Sequence, residues 1–584
     1  MRQRFLKPTK GMELGEQKDK EGTTGKPVYI NSKTRSTHMH IIGASGEGKS
    51  KFMEHMIRED IINNKGLCLI DPHGHLYNDI VRWCETKGML DRSKPKKIIL
   101  FDPTEKNWTF GFNPLQKSGA ELAFHVDAMV KACAKVWGGE NTDQTPLLKR
   151  CLRILFHALA EKELSLLEAQ LLINPTNSIV RKYLTCNIAD GNIKQQWDYF
   201  NTLKPKPFYD EFGSTINRMM EFLSSPIIRN IIGQIEHTID FRKIMDDEWI
   251  LLVNLAASDR ISDDNARLLG TLIVNDLFLK AKGRSKEARP FYLYIDECAR
   301  YINEDIGRIL DECRKFGLHL ILAHQHLAQL KKAGEDIYHA IMTDAKTKVI
   351  FGGLNIDDAK ILAEQVFLGE LDLEEAKESL NKPVVIKYIT RWFESYSKGS
   401  SHGTSYSASR GNGQGVNYST GQAIQRSPQL FGEDQITMTT TSGYNTSSSY
   451  VESEGTIDSE SESQGKIEGL EPVLEERPTQ TFNLEEQIYK AMALMVNQPE
   501  RHAIIKLPKK HTKFIKTPFV KEGCAREERV KKFKENCYQL TDFANPRAQI
   551  EKQLKRRQVL LERKAEEGLK PKPAKKERPE DFRN

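Results

Sequence analysis

The chain has 584 residues, enough for three or four domains. Its most apolar long stretch, ARLLGTLIVNDLFLKA at 266–281, is broken by Asn275 and Asp276 and is shorter than the ~20 residues that span a bilayer, so the composition is that of a soluble protein without a direct membrane span. The net charge of +7 is accounted for by residues 521–584, where nineteen Lys plus Arg face twelve Asp plus Glu; the formally neutral body can grip nucleic acid only through local patches.

The amino terminus, MRQRFLKPTKG, is basic, but no apolar segment follows it, so it does not read as a signal peptide. Nine cysteines, an odd number with no C-x-x-C pair, argue against a disulfide framework or a zinc knuckle and point to a reducing cytoplasm.

The first informative stretch is HMHIIGASGEGKS at 38–50. Gly43, Gly48, Lys49 and Ser50 meet the spacing G-x-x-x-x-G-K-[ST], in which glycines let successive backbone N–H groups curl around one phosphate chain. The segment Gly43, Ala44, Ser45, Gly46, Glu47, Gly48, Lys49, Ser50 is therefore a candidate nucleotide loop. Lys49 would reach the β- and γ-phosphates and the Ser50 hydroxyl would ligate Mg²⁺. The bare pattern arises by chance in roughly a few per cent of chains this long, so the flanks decide. HMHII is strand-like, and Phe52, Met53, Met56, Ile57 and Ile61 recur at helical spacing, which aims a helix N-terminus at an anion.

Further on, GLCLID (66–71), KKIILFDP (96–103), WILLVNLA (249–256), FYLYIDEC (291–298), LHLILAHQ (318–325) and TKVIFGG (347–353) are continuous apolar runs, the pattern of parallel strands covered on both faces. Helical segments separate most of them, so the class is α/β with a parallel sheet. Between 118 and 239 the strand runs stop and the periodicity is helical, as in an all-α insertion. Residues 396–470 are rich in Gly, Ser and Thr and predict a flexible linker. Residues 471–520 offer a small helix–strand segment. In 521–584, a basic helical tail, Asn545 serves as N-cap, Pro546 opens a helix and Gly568 stops it. The expected domains are thus a discontinuous motor at 1–117 and 240–395, the insertion at 118–239, and the three C-terminal parts.

A phosphate loop that hydrolyses ATP needs an acid at the end of another buried strand to support Mg²⁺ and a second to polarise the attacking water. Asp296 and Glu297 in FYLYIDEC supply both. The following strand ends in Gln325, at the edge where parallel sheets meet their ligands, and an amide there can sense a γ-phosphate. Taken alone, Arg314 reads as a surface arginine in an ion pair. Two H-x-H pairs, His73 with His75 and His324 with His326, lack a third ligand and make poor metal sites. Asp71 belongs near the site in a role the sequence does not define.

Together HIIGASGEGKS, LIDPHGH, FGFNPL, SPIIRNIIGQ, ILLVNLA with ARLLGTLIVNDL, YIDECARYI and CRKFGLHLILAHQ resemble the TraG/TraD-type conjugative coupling ATPases of the HerA/FtsK superfamily of DNA-pumping motors, over residues 26–395. The resemblance implies a RecA-like P-loop domain using ATP and Mg²⁺. It implies Lys49, Glu297, Arg314 and Gln325 as catalytic residues, Arg314 acting as a finger inserted into a neighbouring subunit, and Ser50 with Asp296 at the metal. It further implies a hexameric homo-oligomer that threads DNA, with relaxase or secretion-channel components as partners. The best-known family members begin with transmembrane helices, which this sequence does not contain, so a cytoplasmic motor is expected. Alternatives are a HerA-like helicase or translocase in DNA processing, a secretion ATPase, or an ATP-gated DNA-binding scaffold with little turnover.

Overall fold

A computed structural model describes residues 11–18, 24–90, 97–116, 121–138, 146–302, 310, 312–367, 381–403, 417–427, 435–445, 457–478 and 484–568. They form two compact units, residues 1–373 with 482–584, and residues 374–481.

In chain order the first unit opens with β1 (Met12–Lys18), β2 (Thr24–Ile30), α1 (Ser32–Arg35), β3 (Met39–Ile42), α2 (Lys49–Ile62), β4 (Gly66–Asp71), α3 (His75–Thr86), β5 (Ile98–Phe101) and β6 (Trp108–Phe110). A run of helices follows: α4 (Leu122–Gly138), α5 (Pro146–Glu161), α6 (Ala169–Leu172), α7 (Ser178–Thr185), α8 (Gly191–Thr202), α9 (Pro205–Ser224), α10 (Pro226–Ile232) and α11 (Phe241–Asp246). The sheet then resumes with β7 (Ile250–Asn254), α12 (Asp263–Lys282), β8 (Phe291–Ile295), β9 (Leu318–His324), α13 (Leu327–Ala333), α14 (Glu335–Asp344), β10 (Thr347–Phe351) and α15 (Ile356–Phe367).

Among the described residues the main sheet runs β2-β1-β16-β15-β10-β3-β9-β8-β4-β7-β5, where β15 is His502–Lys506 and β16 is Lys513–Lys516. From β10 to β5 every pairing is parallel. The strands MHII, GLCLID, IILF, ILLVN, FYLYI and LHLILAH are buried at every position, because helices cover both faces. This is the RecA-like P-loop arrangement expected of an α/β chain. The helices from 122 to 246 carry aromatic contacts of their own: Trp197 stacks on Phe212 at 5.8 Å and Phe208 on Phe212 at 4.9 Å.

The chain past the second unit is less separate than its sequence suggests. After α16 (Leu484–Val496), β15 pairs antiparallel with β10, and β16 pairs with β15 and with β1. The segment expected at 471–520 as a separate part therefore supplies interior strands of the motor sheet. HAIIK and KFIK are short, and pairing partners some 150 and 500 residues away leave no local signature.

The expected basic tail is likewise folded against the motor. Helix α17 (Glu527–Gln539) lies against α3, with Arg82 donating to the Ala525 carbonyl at 2.9 Å and pairing with Glu527. Residues Ala544–Pro546 form β17, paired with β6, so helix α18 begins at Arg547 rather than at Pro546 and runs to Gly568. Val530, Phe533, Tyr538, Ile550 and Leu554 are buried beneath these helices. Residues 569–584 lie outside the described residues.

The second unit contains two antiparallel pairs, β11 (Asn381–Gly403) with β14 (Ile457–Pro478), and β12 (Asn417–Ser427) with β13 (Gln435–Asn445). Much of the flexible linker expected at 396–470 is thus in strands, and the motor boundary expected at 395 falls within β11. A low apolar content removes the core but not the backbone ladder, and stretches such as ITMTTT are rich in β-branched residues. The remaining parts of 396–470 lie outside the described residues.

The tail's most specific anchor is Arg557, which pairs with the fully buried carboxylate of Glu168 at 2.7 Å and also donates to Ser165 Oγ and the Gly233 carbonyl. Glu168 accepts from the Ser165 N–H at 2.9 Å as well. Arg557→Ala leaves that buried carboxylate without its cation and donor and should lower stability in a denaturant titration by about 1–3 kcal/mol. Arg557→Lys should recover only part of the loss, since one ammonium cannot reproduce the guanidinium fork.

Candidate functional site

Four neighbouring strands, β3, β9, β8 and β4, end on the same edge of the sheet. Their registers place Ile42 opposite His324, Ile295 opposite Leu322, and Ile70 opposite Ile295. The next residues, Gly43, Gln325, Asp296 and Asp71, consequently emerge together around a cavity of ≈ 460 Å³ lined by Ser45, Gly46, Gly48, Lys49, Ser50, Asp71, Asp296, Glu297 and Gln325. Of the predicted site residues, all but Arg314 belong to this edge.

The loop between β3 and α2 has the shape an anion needs. Gly48 caps the 14-residue helix with φ 108° and no side-chain acceptor, so the first N–H groups of α2 are not claimed by a capping oxygen. Gly43 passes so close to β10 that a Cβ would stand 2.5 Å from the Phe351 Cβ. The Lys49 ammonium folds over the loop and donates to the carbonyls of Gly43 at 2.6 Å and Ala44 at 2.8 Å. Burial lowers its pKa, opposed by the charges of Asp296, Glu297 and Glu47.

Burial raises the Asp296 carboxyl to about 6, with the Asp71 and Glu297 charges adding to the effect. A cation seated beside Asp296 would offset this crowding. Ser50, a hydroxyl, and Asp296, a carboxylate, are hard oxygen donors that both line the cavity, which suits Mg²⁺ held with phosphate and water oxygens. Glu297 sits in the left-handed region at φ 47°, ψ 50°, a conformation with a strain cost of order 1 kcal/mol for a non-glycine residue. Its carboxylate accepts from Gln325 Nε2 at 2.6 Å and from Gln329 Nε2 at 3.2 Å.

Gln329 did not stand out in the sequence. Its side chain also accepts, through Oε1, from the backbone N–H of Gln325 at 3.0 Å and of His326 at 3.2 Å, so one amide joins the end of β9 to Glu297. The available signal was the Q-x-x-x-Q spacing across a strand-to-helix turn. Asp71 acquires a role: its two oxygens accept from the N–H groups of His73 at 2.9 Å and Tyr77 at 2.8 Å, fixing the turn into α3.

The H-x-H pairs do not form metal sites. No cluster of three or more potential ligands occurs among the described residues. His73 and His75 are exposed at the cavity. His324 is buried and stacks on His40 with ring centroids 4.8 Å apart. Burial lowers the pKa of both, His324 to about 3, so the rings are neutral neighbours within the sheet. Arg314 is not brought to the cavity: it lies exposed on the turn that enters β9, at the opposite end of a seven-residue strand, ~20 Å from Gln325 at about 3.3 Å per residue.

Parallel strands, the glycine loop, and a buried acid pair at the adjacent strand end define a RecA-like P-loop NTPase. Two family models match the chain, one described as the central domain of the helicase HerA over residues 12–204 and one as the TraM recognition site of TraD and TraG over residues 290–429. On these two matches the chain is similar to the TraG/TraD-type and HerA ATPases. No curated protein matches it. Among solved structures, it is similar to the unbound bacterial conjugative coupling protein TrwB, with 12% identity, 88% of this chain and 91% of that chain covered, and a TM-score of 0.44. TrwB in complex with ADP and Mg²⁺ gives the same identity, coverage and score. VirB4 of Thermoanaerobacter pseudethanolicus gives 13% identity, 63% of this chain and 91% of that chain, and a TM-score of 0.42.

If the Gln329 amide positions Glu297, Gln329→Ala should lower kcat for ATP roughly tenfold while KM stays within about twofold, since the loss falls on the reacting geometry and not on nucleotide affinity. Steady-state turnover at saturating Mg²⁺ measures both. An unchanged kcat would make Gln329 a cap of α13 and nothing more.

Proposed function

We propose that this chain is an ATP-hydrolysing, DNA-translocating motor that works as a ring, most simply a hexamer, in conjugative DNA transfer or mobilisation. The observation that carries the reading is the convergence of the phosphate loop, Asp296 and Glu297 on one cavity, with both Glu297 oxygens held by amide donors. The matches to the TraD/TraG and HerA models supply the DNA-motor class. In this reading relaxase or secretion-channel components are the partners, and the helices of 118–239 receive the substrate. No described helix is long and apolar enough to cross a membrane.

The chemistry follows from the residues. The N–H groups of the loop and of the first turn of α2 hold the phosphate chain, and Lys49 turns from its carbonyl partners to the β- and γ-phosphate oxygens. Ser50 and Asp296 would hold Mg²⁺, which would supply charge neutralisation to the phosphate oxygens. Glu297 accepts a hydrogen bond from the attacking water and aligns it, while Gln325, bonded to Glu297, senses the γ-phosphate. Arg314 reaches the phosphates only from a neighbouring subunit. The match to the HerA central domain favours a second reading, a helicase or translocase in DNA processing that uses the same site.

Lys49→Ala should abolish ATP turnover with the fold retained; undiminished hydrolysis would remove the phosphate-loop assignment. In rings mixed from Arg314→Ala and Glu297→Gln subunits, part of the activity lost by either variant should return, because some interfaces then contain both intact groups. Verified mixed rings with no recovery would count against a finger in trans. Turnover measured with single-stranded DNA, double-stranded DNA and no DNA, alongside oligomer size, tests the motor reading. Indifference to both DNAs would sink it.

A further inference from the structure

The cavity accounts for the phosphates of a nucleotide but not for its base. On the other flank of β3, away from β9 and β8, stand β10 and β15. Arg501, the residue before β15, lies against the phosphate loop: its N–H donates to the Glu47 carbonyl at 3.2 Å, and a Cβ on Gly48 would stand 3.6 Å from its Cα. It is held with φ 63°, the left-handed region that a non-glycine residue seldom occupies. The Arg501 carbonyl accepts from the Thr517 N–H at 2.8 Å, and its guanidinium donates to the Thr517 carbonyl at 3.0 Å. The chain then passes along α2, where Arg58 donates to the Lys521 carbonyl at 2.7 Å.

Between these two anchors Phe519 stands 70% exposed, with the Arg501 guanidinium carbon 5.1 Å from its ring centroid. An exposed phenyl ring is thus carried on a segment pinned at one end to the phosphate loop and at the other to the phosphate helix. Residues 497–521 belong to the same compact unit as the loop. A nucleotide whose phosphates lie in the loop must send its ribose and base outward, and an aromatic face with a guanidinium beside it is suited to a flat π-system.

We propose that Phe519, steadied by Arg501, is the stacking wall for the nucleotide base. The inference rests on the phosphate-loop reading. Stacking on a ring face does not depend on which base is stacked, so the wall favours purine nucleotides over bare phosphates without separating adenine from guanine.

Calorimetric titration of the full chain with ADP, GDP and pyrophosphate tests this. Phe519→Ala should weaken ADP and GDP alike, roughly tenfold, and leave pyrophosphate unchanged; Phe519→Trp should restore both nucleotides. Unchanged ADP affinity, or an equal loss for pyrophosphate, overturns the proposal, the second because it signals a disturbed loop. A loss of ADP affinity that Trp does not restore overturns it as well. Lys49→Ala should weaken all three ligands. A wild-type chain that binds neither ADP nor pyrophosphate overturns the phosphate-loop reading itself, and the stacking wall with it.

Discussion

One buried ion pair holds the two halves of the site in register. Arg35, in the short helix before β3, forms a two-pronged pair with Asp60 in the last turn of the phosphate helix α2, at 2.6 and 2.8 Å. The same guanidinium donates to the Tyr294 hydroxyl at 2.9 Å, and Tyr294 donates to Asp60 at 2.6 Å. Tyr294 lies on β8, two residues before Asp296. Arg35 also lies 3.6 Å from the Tyr292 ring centroid. A charged cluster this deeply buried is poor evidence for net stability, because desolvation offsets much of the attraction. Its geometric effect is less ambiguous. Breaking one partner leaves an uncompensated charge, so α2 cannot slide relative to β8 without a penalty of several kcal/mol. The loop at one end of α2 and the acids at the end of β8 are therefore parts of one rigid arrangement.

That arrangement explains which features were legible. Continuous apolar runs announced the parallel strands because burial on both faces suppresses the usual alternation, as in GLCLID and FYLYI. The loop was legible because the backbone it needs can be built from few residue types. Gln329 was not, since its importance lies in three hydrogen bonds that exist only after β9 and α13 meet at a turn. The sequence places Asp71 near the site without defining its role; it lines the cavity, and both its oxygens are engaged by backbone N–H groups of the following turn. The pairing of β15 and β16 with β10 and β1 was invisible for another reason: short strands inserted antiparallel between distant parts of the chain carry no periodicity that names their partner.

The tail shows how charge counting can mislead about architecture. By sequence it is a basic helical tail with an excess of Lys and Arg, but several of those residues are paired inside the fold: Arg529 with Glu85 at 2.7 Å, Lys534 with Asp102 at 3.4 Å, and Arg557 with Glu168. Their opposite numbers lie in a body that is formally neutral, so part of the tail's charge balances carboxylates on the motor rather than facing solvent. Any grip on DNA from this region must come from the outward face of α17 and α18 and from residues beyond 568. Deleting the tail would therefore confound lost charge with exposed core, whereas neutralising outward lysines separates the two.

The position of Arg314 bears on how many chains make one working site. Within the subunit, Lys49 directs its ammonium onto the loop, while Lys51, the other lysine of the cavity wall, is engaged by Glu54 at 2.9 Å and Asp79 at 2.7 Å. Rapid phosphoryl transfer usually enlists a further cation on the γ-phosphate, and a planar guanidinium serves best. Arg314 stands exposed at the opposite end of β9, too far along its own strand to serve its own loop. Gly317, at φ 74°, sets the turn that carries Arg314 outward before β9 begins. In the proposed ring, such an arginine contributes only where another subunit's cavity faces that edge. Hydrolysis would then depend on subunit contact, which is how a motor avoids spending ATP while unassembled.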